Sequence, residues 1–238
     1  MKCIICRPFA WFRERLPALC IADHPEAQAK FMSWRGAKTN DRELLEGDPQ
    51  REAVEATFKL RKRDPTAAFP QFLALAEGGS VYSMLCVGWL YSQGVGVAKD
   101  TVEAERWNLL ALERGSKRAR LQLADLYLAR PDFDACAMIL TPGVDEHWAP
   151  AMYALAMVKL QQPKTTMQRE SARVLLEEAS ALGDVGAQWA LGRRMARGWF
   201  GWRRIPRGFR LMSDACEKTF TLVDGNSRGR EQQEANAT

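Results

Sequence analysis

From Gln50 to about Val223, apolar side chains return every three or four positions, and nowhere do they alternate in steps of two. That is the period of helices with one buried face, not of strands. Gly, Pro and Asp cut the pattern into segments of three or four turns. It predicts helices over 50–63, 66–77, 80–93, 101–114, 117–129, 132–141, 148–161, 167–182, 185–197 and 206–219. Asp100 with Glu103 and Thr165 with Gln168 have capping-box spacing, and Asp184 is expected to be an N-cap. Gly78, Gly115 and Gly183 stand where a left-handed stop is expected. Before this stretch, Pro8, Pro17, Pro25 and Pro49 interrupt a poorly patterned, poorly ordered leader over 1–49, within which 1–31 read as an extension ahead of Met32. Residues 224–238 hold almost no apolar side chain and read as a disordered tail.

The helical stretch repeats. One helix type carries a small residue, then four positions later an apolar residue followed at once by Gly or Ala. The instances are Ser83/Val87/Gly88, Ala119/Leu123/Ala124, Ala151/Leu155/Ala156 and Ala187/Leu191/Gly192, at offsets of 36, 32 and 36 residues. The small residue lets a neighbouring helix come close. A second helix type keeps the same register: Ala104/Trp107/Ala111/Gly115 returns as Ala172/Leu175/Ala179/Gly183, and again as Gly208/Leu211/Ala215. Two patterns that agree on one four-residue deletion define helix pairs stacked in series, with units of about 79–115, 116–147, 148–183 and 184–219. In the second unit, Pro131 stands where the first has a Gly-rich loop, and Pro142-Gly143 is expected to cut the second helix short.

The first unit, read as SxxxVGWLYSQGVGVAKDxxxAxxWxxxALxxG from Ser83 to Gly115, closely resembles a Sel-one-like repeat, a relative of the tetratricopeptide repeat. Gly88, Tyr91, Gly94, Gly96, Val97, Asp100, Ala104, Trp107, Ala111 and Gly115 carry the match. The resemblance implies an all-α protein: a right-handed α-α superhelix, or solenoid, of about four such helix pairs within 50–223. The helix over 66–77, half-matched, belongs to a leading pair. The resemblance also implies a bacterial or eukaryotic adaptor that binds proteins or peptides on a concave helical surface.

Composition narrows the functional class. Hydrophobic residues make up 47% and charged residues 26%, as in ordinary globular chains. Two His among 238 residues leave little catalytic stock, and no HExxH, GxSxG or phosphate-binding loop occurs. His147, beside Asp145 and Glu146, reads as an exposed cap. The expectation is therefore a protein that is not an enzyme, with no cofactor and no small-molecule substrate. The six Cys form no paired framework through the body of the chain, which fits a reducing compartment, and a bacterial cytoplasm is expected. No apolar run approaches the roughly 20 residues of a membrane span.

Stacking makes one surface from the first helix of each pair. Counting from the Gly or Ala of each first helix, the residues expected there are Tyr82, Leu85, Trp89 and Gln93, then Arg118, Leu121 and Asp125. Tyr153, Met157 and Gln161 follow, and then Trp189, Arg193 and Arg197. Leu85, Leu121 and Trp189 serve equally well as inter-repeat core.

Two further features stand apart. Seven Arg and no acidic residue lie between Arg193 and Arg210, interleaved with Trp199, Phe200, Trp202 and Phe209. This patch, with Arg203, Arg204, Arg207 and Arg210 at its end, has three readings. It is a solvated face, a site for an acidic or phosphorylated protein partner, or a contact to nucleic acid or anionic membrane. Cys3, Cys6, Cys20 and His24 have zinc-ligand types and spacing, although Pro8 and Pro17 interrupt the loop; unstructured thiols are the alternative.

Overall fold

Residues 45–161 and 165–218 are described in the structure, a computed structural model, and all lie in one unit of the chain, Lys38–Thr238. Among them there is no strand. Helices α1 (Arg51–Arg63) and α2 (Pro65–Glu77) form the leading pair. The repeats follow as α3 (Val81–Gln93) with α4 (Thr101–Glu113), and α5 (Lys117–Ala129) with α6 (Phe133–Asp145). Next come α7 (Ala149–Gln161) with α8 (Thr166–Ala181), then α9 (Val185–Ala196) with α10 over 205–218, the latter entered through a 3-10 turn at Trp202–Arg204. Each helix packs on its sequence neighbours, while α3, α5 and α7 also touch in series. That is the connectivity of stacked pairs.

The repeat register is visible in hydrogen bonds. Residues Gly79, Gly115, His147 and Gly183 all have positive φ. The amide after each donates back five residues, from Ser80 to Leu75, Ser116 to Ala111, Trp148 to Gly143 and Asp184 to Ala179, at 2.9–3.1 Å. Four second helices thus end in one Schellman turn at the predicted offsets. The stop after α2 is Gly79 rather than the expected Gly78, whose φ is −69°. Second helices also begin alike: the carboxylates of Asp64, Asp100 and Asp132 accept from amides of the first turn. Thr165 and Gln168 complete a reciprocal capping box, but Glu103 does not; its carboxylate pairs with Arg106 at 2.8 Å instead.

The second unit departs from expectation. Helix α6 does not stop at Pro142 but continues to Asp145. Pro142 faces solvent, where water can serve the carbonyl that loses its donor. Gly143 is buried because α7 lies against it: a Cβ there would stand 2.7 Å from Ala151 Cβ and 3.2 Å from the Trp148 ring.

Loop length absorbs the four-residue deletion. In the first unit, Asp100 N–H donates to Tyr91 C=O at 3.0 Å; in the second, Asp132 N–H donates to the equivalent Tyr127 C=O at the same distance. Both loops close on one bond, the second four residues shorter. In the first, Gly96 lies against the backbone of Pro65, so closely that a Cβ would stand 2.2 Å from the Pro65 carbonyl oxygen. Thr101 is the equivalent of Pro65, and in the second unit Arg130 Nη2 reaches its carbonyl at 3.4 Å and Glu105 Oε2 at 2.8 Å.

Ser83, Ala119, Ala151 and Ala187 are all fully buried, as equivalent contact points must be. One apolar cluster runs through α1–α4 and another through α5–α9, with Ala104, Leu123 and Leu126 packed between the second and third pairs. Cys136 fills the small-residue position held by Ala68, Ala104 and Ala172, its thiol donating to Ala124 C=O at 3.3 Å. Asn108 replaces the Phe72, Leu140 and Leu176 of other pairs; it donates to Ala104 C=O at 2.7 Å, while its Oδ1 is buried without a partner. The array starts earlier than position 50: buried Asp48 accepts from Ser80 Oγ at 2.6 Å and from Gln50 N–H at 2.8 Å, and Leu45 joins the first core.

Candidate interaction surface

The first helices carry the expected surface positions at one register, and their fates differ. Leu85 and Tyr153, at 3% and 4% exposure, are core. They lie three positions before the close-contact Gly or Ala, where the side chain points at the neighbouring pair. Both leave the candidate surface. Leu121, at the same position, is half-buried against the core.

Trp89 stays outside, 39% exposed. The guanidinium of Arg61, from α1, lies over its ring at 5.4 Å and over Phe58 at 5.3 Å. Phe58 in turn meets Phe72 and Tyr82 edge-on, with centroids 5.1 and 5.7 Å away. Tyr82 is thus a half-buried wall of an aromatic cluster that holds the Arg61–Trp89 stack in place. Gln93 is exposed one turn further on.

In the middle of the array, Arg118 is half-buried and Asp125 exposed on α5, while Met157 is half-buried and Gln161 exposed on α7. Arg194 reaches the Met157 sulfur at 3.4 Å. At the far end Trp189 is half-buried, with the Arg193 guanidinium over its ring at 5.7 Å. Burial raises the Cys216 thiol pKa, and a hydrogen bond from Trp189 opposes the shift, so α10 holds this indole from behind. Arg197 is exposed. The face therefore runs from uncharged aromatic α3 to basic α9.

Past α9, Arg194 stacks over Trp199 at 5.8 Å and Arg203 over Trp202 at 5.4 Å. Arg203, Arg207 and Arg210 are exposed; Arg204 is half-buried near Glu170, whose pKa its charge helps lower after the stronger hydrogen bond from Arg173. His147 is exposed at a left-handed stop, a capping position. Cys3, Cys6, Cys20 and His24 lie outside the described residues.

Arg61 and Phe58 escaped the sequence reading because α1 is joined to α2 by Asp64 alone. The short link moves α1 six positions out of the 36-residue register. Counting from the caps rather than from residue offsets would have aligned it.

The geometry has a counterpart among solved structures. Aligned with a Sel1 repeat protein from Oxalobacter formigenes, the chain gives a TM-score of 0.52 over 64% of its length, at 19% identity. The chain has the Sel1-repeat fold. A second match, at TM-score 0.49 and 23% identity over 63% of the chain, is a protective antigen of uropathogenic Escherichia coli with an SLR fold. The chain spans 65% of the Oxalobacter protein and 34% of the antigen. No known family model matches the sequence, and no curated protein matches it. The Sel1 resemblance seen in Ser83–Gly115 and the all-helical array thus agree.

Proposed function

We propose that this Sel1-fold array is a non-enzymatic adaptor or regulator in a bacterial cytoplasm, holding another protein or peptide along the concave face of its first helices. The observation that supports this reading is the pair of indoles near opposite ends of that face, Trp89 under Arg61 and Trp189 under Arg193. Large aromatics already held by packing lose little freedom on binding, and Trp and Arg dominate binding energy where they occur. Between them Gln93, Arg118, Asp125, Met157 and Gln161 supply a mixed polar and apolar floor. The basic end, Arg193 and Arg197, suits acidic residues of the partner.

Affinity capture with the full chain, followed by mass spectrometry, identifies the partner. Titration of that partner then tests the face. Trp89→Ala is expected to weaken binding by about 2 kcal/mol, roughly 30-fold, with the thermal melt little changed because the ring is partly exposed. Full affinity retained by both Trp89→Ala and Met157→Ala would place the partner elsewhere and overturn the reading.

A further inference from the structure

The segment from Val185 to Ser213 contains seven Arg and no Asp or Glu. Its end is built unlike the rest of the array. Gly201, at φ 96°, turns the chain into the 3-10 turn Trp202–Arg204, which runs without interruption into α10. The run is helical throughout, so Arg203, Arg207 and Arg210 fall on one stripe, with neighbours spaced by about 5–6 Å at Cβ. All three are exposed. Trp202 is 75% exposed, the most open of the described indoles, with the Arg203 guanidinium over its ring. Arg207 has Glu177 within reach, but at 3.9 Å across a largely solvated gap. Nothing in the fold requires an indole there, since Trp202 joins none of the apolar clusters.

We infer that this end of the array docks on an anionic phospholipid surface, with Trp202 at headgroup depth and Arg203, Arg207 and Arg210 on the lipid phosphates. An indole beside guanidiniums is the side-chain set of the bilayer interface, where the ring needs one apolar and one wet side. Binding through three Arg is electrostatic and strengthens with anionic lipid. The arrangement favours a bilayer over single-stranded nucleic acid. Base stacking needs open ring faces. Here Trp189, Trp199 and Trp202 each have a face taken by an Arg of the same segment. A headgroup layer accepts such pairs as they stand. No described helix is long and apolar enough to cross a membrane.

The experiment is co-sedimentation of the full chain with phosphatidylcholine vesicles, with or without about one third phosphatidylglycerol. Binding is expected only with phosphatidylglycerol and to weaken as salt rises. Each Arg near such a surface multiplies binding roughly fivefold, so Arg203→Ala/Arg207→Ala/Arg210→Ala together should lower it on the order of a hundredfold. In parallel, brominated phosphatidylglycerol should quench a component of wild-type emission that Trp202→Phe lacks. This readout holds even if the triple variant folds poorly. Equal binding to both vesicle types, undiminished binding by a folded triple variant, or quenching that Trp202→Phe leaves unchanged would each overturn the proposal. So would a chain that ignores vesicles but binds a single-stranded oligonucleotide through Trp202. Loss of protein-partner affinity in Trp89→Ala is a separate outcome that leaves this one intact.

Discussion

The first and second repeats solve one problem by different means. Each must seat the loop between its helices on the start of the preceding second helix. The first does so with backbone, Gly96 lying against the Pro65 carbonyl. The second, four residues shorter, has no loop to lay there and sends the Arg130 side chain to the equivalent Thr101 carbonyl and to Glu105. Backbone contact is rigid and admits no Cβ; a guanidinium adapts but lies half in water. Gly96 is therefore a requirement of the long loop, not of the register itself, which the Tyr91–Asp100 and Tyr127–Asp132 bonds keep in both units.

Mutation can pull the two solutions apart. The largest effect is expected from Gly96→Ala, where positive φ (74°) and the clash with Pro65 act together. Strain of about 1–2 kcal/mol and overpacking of about 1–3 kcal/mol should lower unfolding free energy by roughly 3 kcal/mol in denaturant titration. A loss below about 1 kcal/mol would mean that the long loop is not seated as described. Next is Gly143→Ala, which installs in the second repeat the alanine that Ala111 and Ala179 provide in its neighbours. Backbone conformation is permissive there, so only the contacts with Ala151 and Trp148 resist, and a loss of about 1–3 kcal/mol is expected. A stabilised variant would show that the second repeat tolerates wider spacing. Smallest is Arg130→Ala, under about 1 kcal/mol and shrinking as salt rises, since both partners are partly exposed. A salt-independent loss would place its worth in packing rather than in charge.

The sequence made the array legible wherever sterics leave few choices. Ser83, Ala119, Ala151 and Ala187 had to be small and proved fully buried; Gly115 and Gly183 sit at left-handed stops. It was misleading where a nominal breaker had solvent on its side, as at Pro142, or where a neighbour from another unit decided the outcome, as Trp148 and Ala151 do at Gly143. The candidate surface was half legible for a related reason. Helical phase says which side of a helix a residue occupies, but not how closely the next pair approaches. Leu85 and Tyr153 share their phase with Leu121 and Trp189, yet the first two are core and the last two only half-buried. The Arg61–Trp89 stack depended on the one-residue link at Asp64, which hides α1 from any fixed offset.

Cys136 has a consequence for chemistry in solution. Burial chiefly raises its thiol to about 11, so at neutral pH roughly one molecule in ten thousand carries the thiolate that reacts with alkylating or oxidising agents. With its sulfur enclosed between α5 and α6, even that fraction meets reagent only when the two helices part. Its modification therefore clocks the breathing of the short-looped repeat, an intrinsic label that the equivalent alanines of the other pairs cannot provide.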